Sequence, residues 1–184
     1  MILSDGSIKA RLASGDLKIE PLVNPELQIQ PASVDLRLDK HFIRVRKAHV
    51  GVIDLADPVQ ELDRVSTEDS FVIEPWEFVL ASTAETIRMP NDLVGRVEGR
   101  SSLGRLGLII HVTAGFVDPG FEGQITLEMT NFNPSPLRLH IGMRVCQLSL
   151  EQMTSPAERP YGEARGSKYV GETARGAVPS RFRL

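Results

Sequence analysis

The sequence predicts an all-β fold with minor helices. Three observations carry this. Apolar and polar residues alternate with period two in many short stretches. Turn residues (Pro, Gly, Asn, Asp) separate those stretches at close intervals. No β-strand, helix, β-strand unit repeats along the chain. Short strands at this spacing argue for a barrel or a sandwich. The 184 residues are the size of one domain, and 41% apolar with 24% charged residues is an ordinary globular balance. A net charge of −3 gives no basic signature for nucleic acid or an anionic membrane. No apolar run approaches the ~20 residues that span a bilayer. Residues 1–5 lack a basic segment followed by a long apolar one, so a cytoplasmic protein without a signal peptide is expected.

The elements follow in order. Residues 1–15 read as one short helix, with Ser4 as N-cap, Leu3 and Ile8 as a hydrophobic staple, Ile8 and Leu12 on one face, and Gly15 as terminator. The period then changes to two in Ser33-Val34-Asp35-Leu36-Arg37-Leu38 and in Ile43-Arg44-Val45-Arg46. Further strands are expected at 71–73, 78–82, 93–97, 108–112, 125–129, 137–139 and 145–150. Glu74-Pro75, Met89-Pro90-Asn91-Asp92, Asp118-Pro119-Gly120, Asn133-Pro134-Ser135-Pro136 and Ile141-Gly142 supply turns between them. Residues 1–153 form the β domain. Residues 154–184 form a tail of the same domain, with six Lys/Arg against three Glu and with Gly162, Gly166, Gly171 and Gly176 spaced along it. Its composition suits a flexible tail, or a basic lid that orders over an anionic ligand.

One cysteine, Cys146, excludes an internal disulfide framework and any C-x-x-C site. The four histidines show no H-x-H or H-x-x-x-H pairing, so a structural zinc site is not expected. Cys146 alternates with Gln147 and so points to the core with Leu148 and Leu150.

Three segments could carry chemistry. Gly99, Arg100, Ser101, Ser102, Leu103, Gly104 and Arg105 combine small residues, hydroxyls and guanidinium groups, which suit phosphate oxygens. A polar turn with solvated arginines fits the same residues, and the spacing is not that of a Walker loop. Thr113-Ala114-Gly115-Phe116-Val117-Asp118-Pro119-Gly120-Phe121 reads either as an aromatic-and-acid loop for a nucleoside or as a β-turn with both Phe side chains in the core. In 124–130, Ile125, Leu127 and Met129 take one face and Gln124, Thr126, Glu128 and Thr130 the other. That polar face either meets solvent or lines a wet cleft with Glu128 as a positioned acid/base.

Taken together, these three segments resemble the dCTP deaminase family, within the trimeric dUTPase-like group. The likeness runs almost end to end, from Leu3-Ser4-Asp5 and Gln30-Pro31-Ala32-Ser33-Val34-Asp35-Leu36-Arg37-Leu38 to Ser155-Pro156 and Ser167-Lys168-Tyr169. It implies a homotrimer of distorted β-barrels (a β-clip) with active sites between subunits. It implies a zinc-independent deaminase, and the H-x-E…P-C-x-x-C signature of zinc deaminases is absent. By the same likeness Glu128 is the proton-shuttling glutamate, the Ala114 carbonyl holds the water, and Asp118 contacts the deoxyribose hydroxyl. Arg100, Ser101, Ser102, Leu103, Gly104 and Arg105 match the triphosphate loop, with Arg105 reaching a neighbouring subunit's site. Thr126 and Leu127 match positions whose backbone reads the pyrimidine. Gln147, Tyr161, Lys168 and Glu172 match further nucleotide contacts. Some family members carry glutamine at the position of Glu172, where a carboxylate would repel triphosphate unless it faces away or pairs with Arg175. The implied partners are dCTP or dUTP with magnesium held by the phosphates, and dTTP as a feedback inhibitor.

Deaminase-only relatives commonly carry His-Arg after Thr-Ala, whereas bifunctional ones carry Gly and an aromatic. Gly115-Phe116 is of the second kind, and Ala114-Gly115-Phe116-Val117-Asp118 resembles the A-G-x-x-D motif of dUTPases. The resemblance therefore favours dCTP to dUMP, ammonia and diphosphate. The alternatives are a dUTP-releasing deaminase, a plain dUTPase, and a non-catalytic nucleotide-sensing trimer.

Overall fold

The structure is a computed structural model that describes residues 1–45, 55, 62–169 and 176–180. Helix α1 (Asp5–Ser14) leads into β1 (Lys18–Glu20), α2 (Pro25–Gln28), β2 (Ile29–Gln30), β3 (Ser33–Arg37) and β4 (His41–Val45). Then come β5 (Leu62–Ser66), β6 (Ser70–Ile73), β7 (Phe78–Arg88), β8 (Leu93–Gly99) and α3 (Ser101–Gly104). The chain continues through β9 (Leu108–Ile109), β10 (Phe116–Val117), β11 (Glu122–Asn131), β12 (Leu137–His140), β13 (Arg144–Gln152) and a 3-10 turn, Glu163–Arg165. The expected mostly-β class with minor helices is what the chain adopts.

The described strands pair antiparallel in three sheets. One runs β5-β4-β7-β11-β9, with β1 also on β7; the second runs β10-β8-β13-β3-β2; the third is the β12-β6 pair. Residues of period two from both larger sheets meet in one core that includes Leu36, Leu38, Phe42, Ile73, Leu127, Met129 and Leu148. Cys146 lies in it, fully buried, and burial pushes its thiol pKa up, away from thiolate chemistry. No helix among the described residues is long and apolar enough to cross a membrane.

Helix α1 forms as its caps dictate. The Ser4 side chain accepts the Ser7 N–H, Gly15 closes the helix at φ +77°, and Ile8 is buried against the core with Leu3 and Leu12 packed beside it. Strand β7 is longer than its expected 78–82. Its second half is polar, yet Ser82, Thr83 and Glu85 are buried. Hydrogen bonds across the fold make that burial affordable in free energy: Glu85 accepts from Gln28 Nε2 (2.9 Å) and Arg37 Nε (2.7 Å). The expected 108–112 strand is only Leu108–Ile109, because just Thr130 and Asn131 of β11 pair with it. Helices α2 and α3 and strands β1, β2, β5 and β10 are not among the elements expected from the sequence. Arg46 lies outside the described residues.

The tail packs on the same body. Ala157 N–H donates to the Asn91 carbonyl (2.8 Å) and Tyr161 N–H to the Pro119 carbonyl (2.8 Å), and Ala177 is buried against Ile43 and Leu80. The last described residues thus lie over the β4-β7-β11 surface, where the sheet meets the cleft.

Candidate active site

The cleft forms where β11 runs past its short neighbour. Before Thr130, the edge of β11 that faces away from β7 has no strand partner among the described residues. Period two puts Ile125, Leu127 and Met129 into the core and leaves Gln124, Thr126, Glu128 and Thr130 half-buried on the other face. A cavity of about 470 Å³ opens over that face, a volume that suits a nucleotide-sized ligand. Glu128, Thr126 and Gln124 form its floor. Ala114, Phe116 and Asp118 come from the β10 loop, and Tyr161, Tyr169 and Val178 from the tail.

The Oε2 of Glu128 accepts the Val112 N–H at 3.3 Å. The carboxylate is therefore held from the loop that also carries Ala114, and among the described residues no protein group donates to its other oxygen. Thr126 Oγ1 accepts the Val178 N–H (3.2 Å). Gln124 ties floor to tail: its Nε2 donates to the Thr83 carbonyl (2.8 Å) and its Oε1 accepts the Gly176 N–H (2.7 Å). The register slips between Gln124 and Thr126, and the Ile125 N–H that this frees donates to Thr83 Oγ1 (3.0 Å). Tyr161 accepts the Tyr169 N–H on its hydroxyl (3.1 Å), and burial raises its phenol pKa. Its ring lies 5.9 Å from that of Phe121.

Of the residues expected to act together, Glu128, Ala114, Asp118, Thr126, Phe116 and Tyr161 line this cleft. Leu127 sends its side chain into the core, so only its backbone can face a ligand. The reading with both Phe side chains in the core fails for Phe116, which is 54% exposed, while Phe121 packs on the core edge. Gly115 is backed so closely that an added Cβ would lie 2.8 Å from the Val97 carbonyl oxygen and 2.9 Å from the His111 ring.

Other expected residues lie elsewhere in the single chain. Ser101, Ser102, Leu103, Gly104 and Arg105 sit in and after α3, outside the cleft lining, with all but Leu103 exposed. Arg100 turns its Nε toward the buried Asp35 carboxylate (3.4 Å) and donates from Nη1 to the Arg144 carbonyl (3.1 Å). Gln147 is half-buried on β13, opposite Asp35 and Glu98 in the second sheet. Lys168 is exposed beside Tyr169. Glu172 and Arg175 lie outside the described residues.

Gln124, Val112, Tyr169 and Val178 escaped the sequence reading. Gln124 alone left a trace, as one more polar residue on the Glu128 face. The others act through backbone N–H groups or packing, which side-chain chemistry does not announce.

Comparison with known proteins converges on one group. A family described as dCTP deaminase-like matches residues 2–153. A dCTP deaminase of Natronomonas pharaonis is 51% identical over 179 residues, 94% of this chain and 91% of the relative. A protein of Halobacterium salinarum named dCTP deaminase, dUMP-forming, is 50% identical over 189 residues, covering 100% of this chain and 95% of its own. One of Methanothermobacter thermautotrophicus with the same name is 52% identical over 177 residues, 94% of this chain and 90% of its own. Among solved structures, the 2'-deoxycytidine 5'-triphosphate deaminase of Agrobacterium tumefaciens aligns with a TM-score of 0.64 at 26% identity. That alignment covers 82% of this chain, which spans about half (47%) of the longer protein.

Proposed function

The chain belongs to the dCTP deaminase-like family, and we propose that it converts dCTP to dUMP, ammonia and diphosphate at this cleft. The observation that carries the reading is the Glu128 carboxylate, held by the Val112 N–H on the floor of a nucleotide-sized cavity that Asp118 also lines. Relatives about half identical and named dUMP-forming support the second step.

Glu128 accepts a proton from water as its oxygen bonds to the amine-bearing carbon of the cytosine ring. The Ala114 carbonyl helps hold that water. Glu128 gives that proton to the ring nitrogen, then carries the proton of the new hydroxyl to the amine, and the C–N bond breaks so that ammonia leaves with its electron pair as the carbonyl forms. Asp118 accepts the sugar hydroxyl, and the close wall around it leaves a ribonucleotide crowded. The backbone of Thr126 and Leu127 reads the pyrimidine, with Tyr161 and Lys168 closing from the tail. In the second step a water oxygen bonds to the α phosphorus while the bond to the bridging oxygen breaks. Diphosphate leaves with that electron pair, neutralised by magnesium that entered as part of the substrate.

A triphosphate needs cations, yet no arginine or lysine lines the cleft among the described residues, and two carboxylates do. Arg105 with the exposed Ser101 and Ser102 is the matching donor set, exposed and outside the lining of its own cleft. A homotrimer in which one subunit's α3 loop serves the next subunit's cleft supplies what a single chain lacks.

Zinc has no part in this reading. The single cysteine is buried in the core, and no group of three His, Cys, Asp or Glu side chains gathers as a metal site among the described residues.

The test is a product assay with dCTP and magnesium, repeated with a zinc chelator while magnesium is maintained. Ammonia with dUMP and diphosphate, unchanged by the chelator, is expected. Free dUTP as sole end product would overturn the second step and leave a dUTP-forming deaminase. Absence of ammonia would leave a dUTPase or a binding module.

A further inference from the structure

We propose that Arg96 is a positioning residue that decides whether newly formed dUTP is hydrolysed or released. The proposal rests on the two-step reading above. It starts from Phe116, the aromatic of the Gly-aromatic pair. Strand β10 has two residues, and both pair with β8: Phe116 with Arg96 and Val117 with Gly95. The Val97 N–H donates to the Gly115 carbonyl at 2.7 Å, and Gly115 has no room even for a Cβ. The backbone entering Phe116 is therefore pinned on β8. What stays free is the side chain, and at 54% exposure the core does not choose its rotamer.

Arg96 makes that choice. Its guanidinium carbon lies 5.0 Å from the centre of the Phe116 ring, within cation–π range. No other cation or aromatic ring packs on Phe116 among the described residues. Arg96 is itself fixed, since its Nε donates to Glu151 Oε1 on β13 at 2.8 Å. Glu151, Arg96 and Phe116 thus form a chain from the second sheet to the cleft wall.

That wall has two sides. Phe116, Asp118 and Tyr161 line both the cleft over Glu128 and a second cavity of about 280 Å³ that Arg159 and Arg165 also line. With the ring docked on Arg96, Phe116 is a partition beside Asp118. If the ring swings, the two spaces merge and solvent reaches the sugar-phosphate end of the cleft. A water for the α phosphorus is then no longer held in line, while Glu128 and its Val112 contact are untouched. Deamination continues and dUTP escapes.

The experiment measures ammonia, dUTP and dUMP from dCTP and magnesium with wild type, Arg96→Leu, Arg96→Lys, Glu151→Gln and the Arg96→Leu/Glu151→Gln pair. Arg96→Leu should raise the fraction released as dUTP by roughly two- to five-fold. Its ammonia rate should stay within about two-fold of wild type. Lys should restore part of the partition. Glu151→Gln, which keeps the side chain's size, should shift it in the same direction but less, and should add nothing in the Arg96→Leu background. An unchanged dUTP fraction in Arg96→Leu and Glu151→Gln, or equal loss of ammonia and dUMP, overturns this proposal while leaving the two-step reading. A wild type that forms no dUMP overturns both.

Discussion

Glu128 is the residue on which the proposed chemistry turns, and its setting explains why a single atom matters. Its neighbours on β11, Leu127 and Met129, are fully buried, so the strand cannot shift to accommodate a change. Glu128→Gln keeps the size and the Val112 contact but removes the proton acceptor. Ammonia release should fall by at least about 100-fold, with dCTP binding retained in calorimetry; turnover at the wild-type rate would remove Glu128 from the mechanism. The neighbouring loop carries a second residue-scale prediction. From the sequence, exchanging Gly115-Phe116 for His-Arg is expected to reduce the hydrolytic step more than deamination. The structure changes that expectation, because a Cβ at 115 meets the Val97 backbone and the His111 ring. The informative variant is Phe116→Arg alone, whose backbone position tolerates a side chain. It should lower dUMP formation more than ammonia release, whereas any side chain at Gly115 should lower both by moving the loop.

At the scale of elements, α1 is tied to the start of β8 by one ion pair. Arg11 Nη2 lies 2.6 Å from Asp92 Oδ1, and the hydrogen bond from Arg11 holds the Asp92 carboxyl below the usual carboxylate range. A carboxyl whose folded pKa is lowered stabilises the fold above its unfolded pKa, and that contribution fades as pH falls through the folded value. Asp92→Asn should therefore lower the unfolding midpoint at neutral pH and converge with wild type as pH falls through the lowered folded value. Parallel midpoints across that range would show the pair to be energetically silent. The tail is the other element with a measurable role. Gly176 and Val178 donate to Gln124 and Thr126 on the cleft floor, while Tyr161 and Tyr169 form the wall. Ending the chain after Tyr169 keeps that wall and removes the floor contacts. Affinity for dCTP should drop by roughly ten-fold with the oligomer intact; unchanged affinity would refute the lid.

The whole molecule has features that one chain does not explain. Among the described residues the cleft is lined by carboxylates and by no cation, and the exposed cation-bearing loop lies outside that lining. Trp76, Phe132, Leu106 and Ile109 are large apolar side chains left exposed around α3 and β9. Phe78 and Ile109 both flank Thr130, two residues from Glu128, so this apolar surface borders the site. A solution mass three times the 20.3 kDa chain is expected. If sites are shared, co-expressed Arg105→Ala and Glu128→Gln chains should recover dCTP deamination that neither has alone. No recovery in mixed oligomers would place the whole site within one subunit.

Much of the fold was legible in sequence because its signals are local. The Ser4 and Gly15 caps delimit α1, and the alternation in 124–130 separates the core face of β11 from its polar face. Legibility failed where burial depends on distant partners. Glu85 looks like a surface residue until Gln28 and Arg37 arrive from elsewhere in the chain to satisfy it, as Thr83 does until its hydroxyl accepts the Ile125 N–H. The site divides the same way. The family resemblance assigned acid, sugar and phosphate roles to particular residues as expectations. Only tertiary structure decided which of them share a cavity, since that depends on strand order: β11 and β10 bring Glu128, Ala114, Phe116 and Asp118 to one cleft, while α3 and β13 carry Arg105 and Gln147 away from it. Residue type is written position by position, but proximity is set by which strands pair, and that is a property of the whole chain.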